Sequence, residues 1–133
     1  MKVKIIIIIT IISVLLIGGL LIIKILNDQE KSHKQLELTY EINAGIPFRW
    51  EFEIEDESIV EFKKSYVIRD DNKGGLVGGK IVTNYVFVGK KEGVTNVTFK
   101  YVNFTDDNYP TKEEVHKIKV DKDKNISLIG ISE

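Results

Sequence analysis

Residues 48–54, Phe-Arg-Trp-Glu-Phe-Glu-Ile, alternate apolar and charged side chains at every position. A strand with one face on a core and the other in water has this period of two. Other short runs rich in β-type residues lie at 36–42, 58–62, 66–68, 81–88, 94–102, 115–120 and 126–131. Turn-forming Gly, Asn, Asp and Pro separate the runs, and no helical spacing of apolar residues occurs after residue 27. The pattern predicts an all-β fold of eight strands, an antiparallel β-sandwich with immunoglobulin-like topology.

The strand with the alternating pattern also sets an orientation for its side chains. Trp50 and Phe52 are predicted to face the core, while Glu51 and Glu53 face water, because a shift by one residue would exchange the two faces. An inward tryptophan on an early strand is a common core residue of such sandwiches. We therefore interpret Trp50 as mainly structural.

A long apolar segment precedes the predicted domain. Residues 5–23 are 19 residues without a charge, flanked by Lys2, Lys4 and Lys24, and this length is enough to cross a bilayer as one helix. A cleaved signal peptide is the alternative, but no alanine occurs before Ala44, so an Ala-x-Ala cleavage site is absent. We predict that residues 1–26 form a retained signal anchor with a single N-terminal transmembrane helix.

The charges around this segment predict its orientation. Lys2, Lys4 and the amino terminus form a positive head that translocates poorly, so the head is expected inside and the domain outside the cytoplasm. Residues 27–35 are polar and are predicted to be a juxtamembrane spacer, and residues 36–133 the β-sandwich domain. The expected location is the cell membrane, with a single pass, and a secreted form after signal-peptide cleavage is the alternative.

Composition limits the partners of the domain. Without the span and its three flanking lysines, 16 Lys and Arg remain against 20 Asp and Glu, and this acidic balance argues against nucleic acid as a partner. The chain has no cysteine, so neither a disulfide framework nor a lipidated cysteine is expected. Abundant Ile, Lys and Asn with a single Ala are typical of a low-GC bacterium. We expect a monomer.

Catalytic and metal-binding candidates are few. His33 lies in the spacer and His116 in a lysine-rich run that reads as an edge strand, so both are interpreted as surface histidines. Glu51, Glu53 and Glu55 share one face of a strand, where like charges are best solvated. The sequence therefore predicts no enzyme, no metal site and no cofactor.

Two glycine-containing loops carry apolar side chains instead. In residues 44–47, Gly45 and Pro47 set the backbone around Ile46, and in residues 73–80 four glycines surround Leu76 and Val77. Apolar side chains at several loop tips form the kind of exposed patch that marks a partner site. Phe104, after the run at 94–102, is predicted to join this patch.

These loops resemble those of the chagasin-like inhibitors of papain-family cysteine peptidases. The first family loop reads Asn-Pro-Thr-Thr-Gly-(Tyr/Phe)-x-Trp, and it is similar here to Asn43, Ala44, Gly45, Ile46, Pro47 and Phe48, followed by Arg49 and Trp50. The glycine-rich second loop of the family is similar here to Leu76, Val77, Gly78 and Gly79. The third, Arg-Pro-Trp in the family, is replaced by Asn103, Phe104 and Thr105.

The resemblance implies a reversible inhibitor whose three loops enter the active-site cleft of a papain-like cysteine peptidase, and the apolar segment at residues 5–23 makes the expected inhibitor membrane-anchored and extracytoplasmic. Gly45 and Ile46 replace the family Thr-Thr, so an aliphatic side chain is expected next to the catalytic centre. Asn103 replaces the family arginine, so the third loop is expected to contribute less. The alternative is a non-inhibitory immunoglobulin-like module for adhesion or interaction within the cell envelope.

Overall fold

The computed structural model describes residues 15–20, 22–23, 33–71, 78–109 and 111–133. The chain divides into two compact units, Met1–Ser32 and His33–Glu133. In the first unit, residues 15–20 and 22–23 are helical. No helix among the described residues has the length and apolar character needed to cross a membrane. Most of the predicted span at 5–23 lies outside the described residues, and so does most of the predicted spacer.

The second unit is built from strands, as predicted for an all-β domain. These are β1 Gln35–Asn43, β2 Phe48–Ile54, β3 Val60–Asp70, β4 Lys80–Gly89, β5 Gly93–Asn103, β6 Lys112–Val120 and β7 Ile126–Ser132. They form two antiparallel sheets, one with the order β1-β4-β3 and one with the order β2-β5-β6-β7. Side chains from both sheets form one core, consistent with a β-sandwich.

The prediction of eight strands is wrong, because the runs at 58–62 and 66–68 belong to the single strand β3. The register of β3 against β4 shifts between Phe62 and Lys64 and again between Val67 and Arg69. Each irregularity inserts one extra residue into β3, and this breaks the period of two that a sequence pattern relies on. Residues 63–69 are also exposed, so no inward apolar side chains link the two runs in the sequence.

The core is centred on Phe99 of β5, whose side chain is fully buried. Its ring lies 4.2 Å from that of Tyr40 and 5.2 Å from that of Tyr85, measured between centroids. Phe52 and Phe87 pack around the same ring at 5.5 and 6.2 Å. Edge-to-face and offset packing of this kind adds to the free energy gained from burial alone. The aromatic residues of β1, β2, β4 and β5 therefore bind the two sheets together.

The predicted orientation of β2 is confirmed, although Trp50 is less buried than the sequence indicated. Phe52 and Trp50 pack against the core and are half-buried, while Glu51 and Glu53 are exposed. The Trp50 ring lies between Tyr40 and Tyr101, with centroid distances of 4.3 and 5.0 Å. β2 is the first strand of its sheet, so one side of the indole stays open to water.

The prediction that His116 is a surface residue on an edge strand is wrong. β6 pairs with both β5 and β7, and the His116 side chain is only 3% exposed. Its Nε2 lies 2.5 Å from the Tyr40 hydroxyl and 2.8 Å from Oε1 of Glu114. The lysines that suggested an edge are on the outward face of β6, whereas His116 is on the inward face. His33, in contrast, is exposed, as predicted.

We expect the free energy of unfolding to fall as the pH rises above about 10, where a tyrosine in the unfolded chain loses its proton. The Tyr40→Phe variant is expected to show a smaller fall. Burial, followed by the hydrogen bond to the Glu114 carboxylate, raises the pKa of Tyr40. At alkaline pH the folded protein then keeps the Tyr40 proton that the unfolded chain releases. The contribution of protonated Tyr40 to stability is therefore complete below the unfolded pKa and is lost as the pH rises. Urea unfolding between pH 8 and 11 measures it.

The variant Tyr109→Phe is the matched control, because it removes the hydroxyl of an exposed tyrosine. It should leave the alkaline slope as in the wild type. Burial also raises the pKa of Tyr85, so Tyr40→Phe is expected to reduce the slope and not to abolish it. An unchanged slope in Tyr40→Phe would contradict the prediction.

Candidate functional site

Three loops lie at one end of the second unit because of the strand register. Asn43 at the end of β1 pairs with Lys80 at the start of β4, so the β1–β2 loop at 44–47 lies beside Gly79, at the described end of the β3–β4 loop at 71–79. Phe48 at the start of β2 pairs with Asn103 at the end of β5, which brings the β5–β6 loop at 104–111 to the same end. We refer to these segments as loops 1, 2 and 3.

Backbone hydrogen bonds join loop 1 to each of the other two. The Ala44 amide donates to the Gly79 carbonyl over 2.9 Å, and the Phe104 amide donates to the Pro47 carbonyl over 2.9 Å. At the base of loop 2, the Asp71 amide donates to the Lys80 carbonyl over 3.0 Å. Loop 1 is therefore held at both of its ends, between loop 2 and loop 3.

Loop 1 presents an aliphatic side chain on a constrained backbone. Gly45 has φ 84° and Gly78 in loop 2 has φ 88°, a left-handed conformation that glycine adopts without strain. Ile46 follows Gly45 and is 39% exposed, and Pro47 fixes the next φ angle. Of the other predicted tip residues, Leu76 and Val77 lie outside the described residues.

Loop 3 is shaped by the side chain of Asn103. Its Oδ1 accepts hydrogen bonds from the Thr105 amide at 2.9 Å, the Thr105 hydroxyl at 2.8 Å and the Asp106 amide at 3.2 Å. This is the turn that Asn forms with the backbone two residues ahead. Phe104, between the bonded groups, is 53% exposed and projects from the loop. Asn103 and Thr105 thus shape the loop, and Phe104 is its exposed apolar residue.

A row of contacting aromatic rings lies between the core and loops 1 and 3. The Phe48 ring stacks on Tyr101 at 5.1 Å and meets the edge of Tyr109 at 5.0 Å. Tyr101 in turn contacts Trp50, which packs on Tyr40. Phe48 was grouped with the first loop, but it is half-buried in β2 and acts as a support for the loops.

Two residues that the sequence patterns did not indicate also lie at this end. The guanidinium carbon of Arg49 is 5.8 Å from the centroid of the Phe104 ring, and Arg49 also pairs with Glu51. Tyr109 returns from loop 3 toward β2 and is 50% exposed. Arg49 was interpreted only as an outward residue of the alternation, and Tyr109 lies in a polar stretch without a periodic pattern. Only the fold brings them next to Phe104 and Phe48.

A known protein family matches most of the second unit. Residues 31–120 match the family described as chagasin family peptidase inhibitor I42. The chain belongs to the chagasin family. Its members are peptidase inhibitors, so this chagasin-family protein is an inhibitor and not an enzyme.

A solved structure shares the fold of this chagasin-family protein. The cysteine protease inhibitor EhICP2 from Entamoeba histolytica superposes with a TM-score of 0.52 and is 13% identical. The match covers 62% of this chain and 75% of that one. The comparison with curated proteins gives no match.

Chemical groups for catalysis or metal binding do not converge within the described part of this chagasin-family domain. No group of three or more His, Cys, Asp or Glu side chains in that part is placed to hold a metal ion. His116, Tyr40 and Glu114 do meet, but His116 and Tyr40 are buried in the core. The chemistry available from the described residues at the loop end is apolar contact, hydrogen bonding and the positive charge of Arg49.

We expect Asn103→Ala to lower the free energy of unfolding by about 1 kcal/mol, since it removes the acceptor for the turn in loop 3. Asn103→Asp keeps the acceptor oxygen and should stay close to the wild type. Thermal unfolding of the three proteins side by side measures the difference. Equal destabilisation by both substitutions would show that the three hydrogen bonds to Oδ1 do not stabilise the loop.

Proposed function

We propose that this protein inhibits papain-like cysteine peptidases by inserting loops 1, 2 and 3 into the active-site cleft. The observation that carries the proposal is the position of loop 1. It lies between the other two loops, fixed by the hydrogen bonds of Ala44 and Phe104, and it presents the exposed Ile46. Membership of a peptidase-inhibitor family and the shared fold of a cysteine protease inhibitor support the choice of partner.

The proposed mechanism is a wedge in which no covalent bond forms. Ile46 would lie next to the catalytic cysteine of the peptidase and cover it with an aliphatic side chain. Phe104 would contact the wall of the cleft, with Arg49 behind its ring at 5.8 Å. Loops whose backbones are already fixed by glycine, proline and mutual hydrogen bonds lose little conformational entropy on binding, and this favours affinity.

The test is a titration of papain with the full-length protein in a mild detergent, using a fluorogenic peptide substrate. We expect competitive inhibition that is reversed by dilution, together with binding to a papain variant whose catalytic cysteine is replaced by alanine. Trypsin, a serine peptidase with a different cleft, is the control and should stay active. No inhibition by micromolar protein with an intact circular dichroism spectrum would overturn the proposal and favour an adhesion or envelope module.

We also propose that residues 5–23 anchor the protein in the cell membrane with the domain outside the cytoplasm. The uncharged segment supports this location. Within the second unit, Gln35 at the start of β1 pairs with Val88, at the end of the sheet away from the loops.

In a Gram-positive host, the full-length protein is expected to remain in the membrane fraction through high-salt and carbonate washing. Protease added to cells stripped of their wall should digest the domain. A mature protein in the medium that begins between residues 20 and 27 would instead identify the segment as a signal peptide. The papain titration is independent of this result.

A further inference from the structure

The second half of β3 is not covered by the opposite sheet. Val60 is fully buried and Phe62 packs on the core, but every residue from 63 to 69 is exposed. β3 is also the last strand of its sheet and pairs only with β4. We call residues 63–69 the β3 wing. Both of its faces and its free edge are open to solvent.

Two side chains of the β3 wing are apolar without any covering contact. Val67 is 53% and Ile68 56% exposed, and neither packs on the core cluster that includes Phe62. Tyr66 differs from them, because its hydroxyl accepts a hydrogen bond from Nδ2 of Asn84 over 2.8 Å. The packing of the sheet thus accounts for Tyr66 but not for Val67 and Ile68. Ile68 is the extra residue of the register shift between Val67 and Arg69, so the alternation of faces is interrupted there and one partner surface can reach both side chains. Exposed aliphatic residues on a strand edge are a typical contact surface for a partner.

The β3 wing is continuous with the loop face. β3 ends at Asp70, which pairs with Ile81, and the loop 2 residue Asp71 follows directly. Val67 is thus about 13 Å along the strand from the base of loop 2, at roughly 3.3 Å per residue. Gly79, at the other base of that loop, accepts the hydrogen bond from Ala44 of loop 1. A peptidase that binds the loops and also covers about 13 Å of β3 beyond the base of loop 2 would therefore contact Val67 and Ile68.

We propose that Val67 and Ile68 form a side contact for the same peptidase whose cleft receives loops 1, 2 and 3. This inference rests on the proposed function. A stable protein–protein interface buries about 800 Å² on each partner. Ile46, Phe104 and Tyr109 are the large apolar side chains exposed on the described parts of the loops, and a strand edge beside the base of loop 2 adds to the area that they offer. The partner surface is expected to be apolar where it meets these two residues.

A second copy of this chain fits the β3 wing less well. Lys63, Lys64 and Arg69 place three cations along the strand, and two register shifts interrupt it. Lysines and bulges on edge strands are devices by which proteins prevent strand-to-strand association. Side-chain contact with a peptidase does not require a continuous ladder of backbone hydrogen bonds, so these features do not oppose it.

The test compares two double variants of the full-length protein in the papain assay. Val67→Thr/Ile68→Thr removes the apolar contact and keeps β-branched residues in the strand. Val94→Thr/Ile129→Thr is the matched control, since Val94 and Ile129 are 48% and 50% exposed and belong to β5 and β7. The first variant is expected to raise the inhibition constant about tenfold, and the control to leave it unchanged.

The outcomes separate this inference from the proposed function. Wild-type inhibition with equal constants for the wild type and the Val67/Ile68 variant would overturn the side contact and leave the loop mechanism intact. A wild-type protein that does not inhibit papain would overturn both. Light scattering measures the oligomeric state of the wild type and of the Val67/Ile68 variant. A wild-type dimer that becomes a monomer in the variant would assign the β3 wing to self-association and overturn the side contact. Equal melting temperatures of the variants establish that the fold is retained.

Discussion

Replacing Trp50 with alanine is expected to lower the free energy of unfolding by about 3 kcal/mol. The indole packs between Tyr40 and Tyr101, with centroid distances of 4.3 and 5.0 Å, and its removal would leave a gap between the two sheets. Its Nε1 also donates a hydrogen bond to the Glu41 carbonyl over 3.1 Å. The expected loss is at the lower end for a large aromatic residue, because the ring is half-buried.

Trp50→Phe keeps an aromatic ring between the tyrosines and removes the hydrogen bond of Nε1 together with part of the indole's volume. It should cost about 1 kcal/mol. Urea unfolding followed by circular dichroism measures both variants and does not depend on tryptophan fluorescence. A change within experimental error for Trp50→Ala would mean that the aromatic contacts of β2 do not hold the sheets together.

The orientation of β2 could be predicted from the sequence because its alternation is uninterrupted and no bulge changes the register. In β3 the same reasoning failed, since the residues at the two register shifts have no sequence signal and the strand is exposed beyond Phe62. His116 was misjudged for a related reason. Its lysine neighbours suggested a surface strand, but on a strand the neighbours belong to the opposite face.

The candidate site was predictable where local chemistry sets the structure. Gly45 and Pro47 marked loop 1, and the exposure of Ile46 and Phe104 agrees with their predicted place at loop tips. The position of Arg49 beside Phe104 depends on the pairing of β2 with β5, which joins residues about 55 positions apart in the chain. Long-range pairing of this kind leaves no trace in a single sequence, and the open face of the β3 wing was missed for the same reason.

Substituting aspartate for Ile46 is expected to weaken inhibition of papain by at least about 2 kcal/mol, or roughly thirtyfold in the inhibition constant. In the proposed complex this side chain lies next to the catalytic cysteine, where a carboxylate would lose its hydration without gaining a partner. Ile46 is 39% exposed at a loop tip, so the fold should tolerate the change. The measurement is the inhibition constant, with the melting temperature as a check on folding.

Ile46→Val is the matched control for this prediction. It keeps a β-branched aliphatic side chain before Pro47, where an extended backbone is favoured, and should raise the inhibition constant less than tenfold. If papain is inhibited equally by the wild type and Ile46→Asp, then loop 1 does not enter the cleft. Sensitivity to Val67→Thr/Ile68→Thr in that case would move the main contact from the loop tips to the edge of β3. Sensitivity to both sets of substitutions is the result expected if one peptidase covers loop 1 and the β3 wing together.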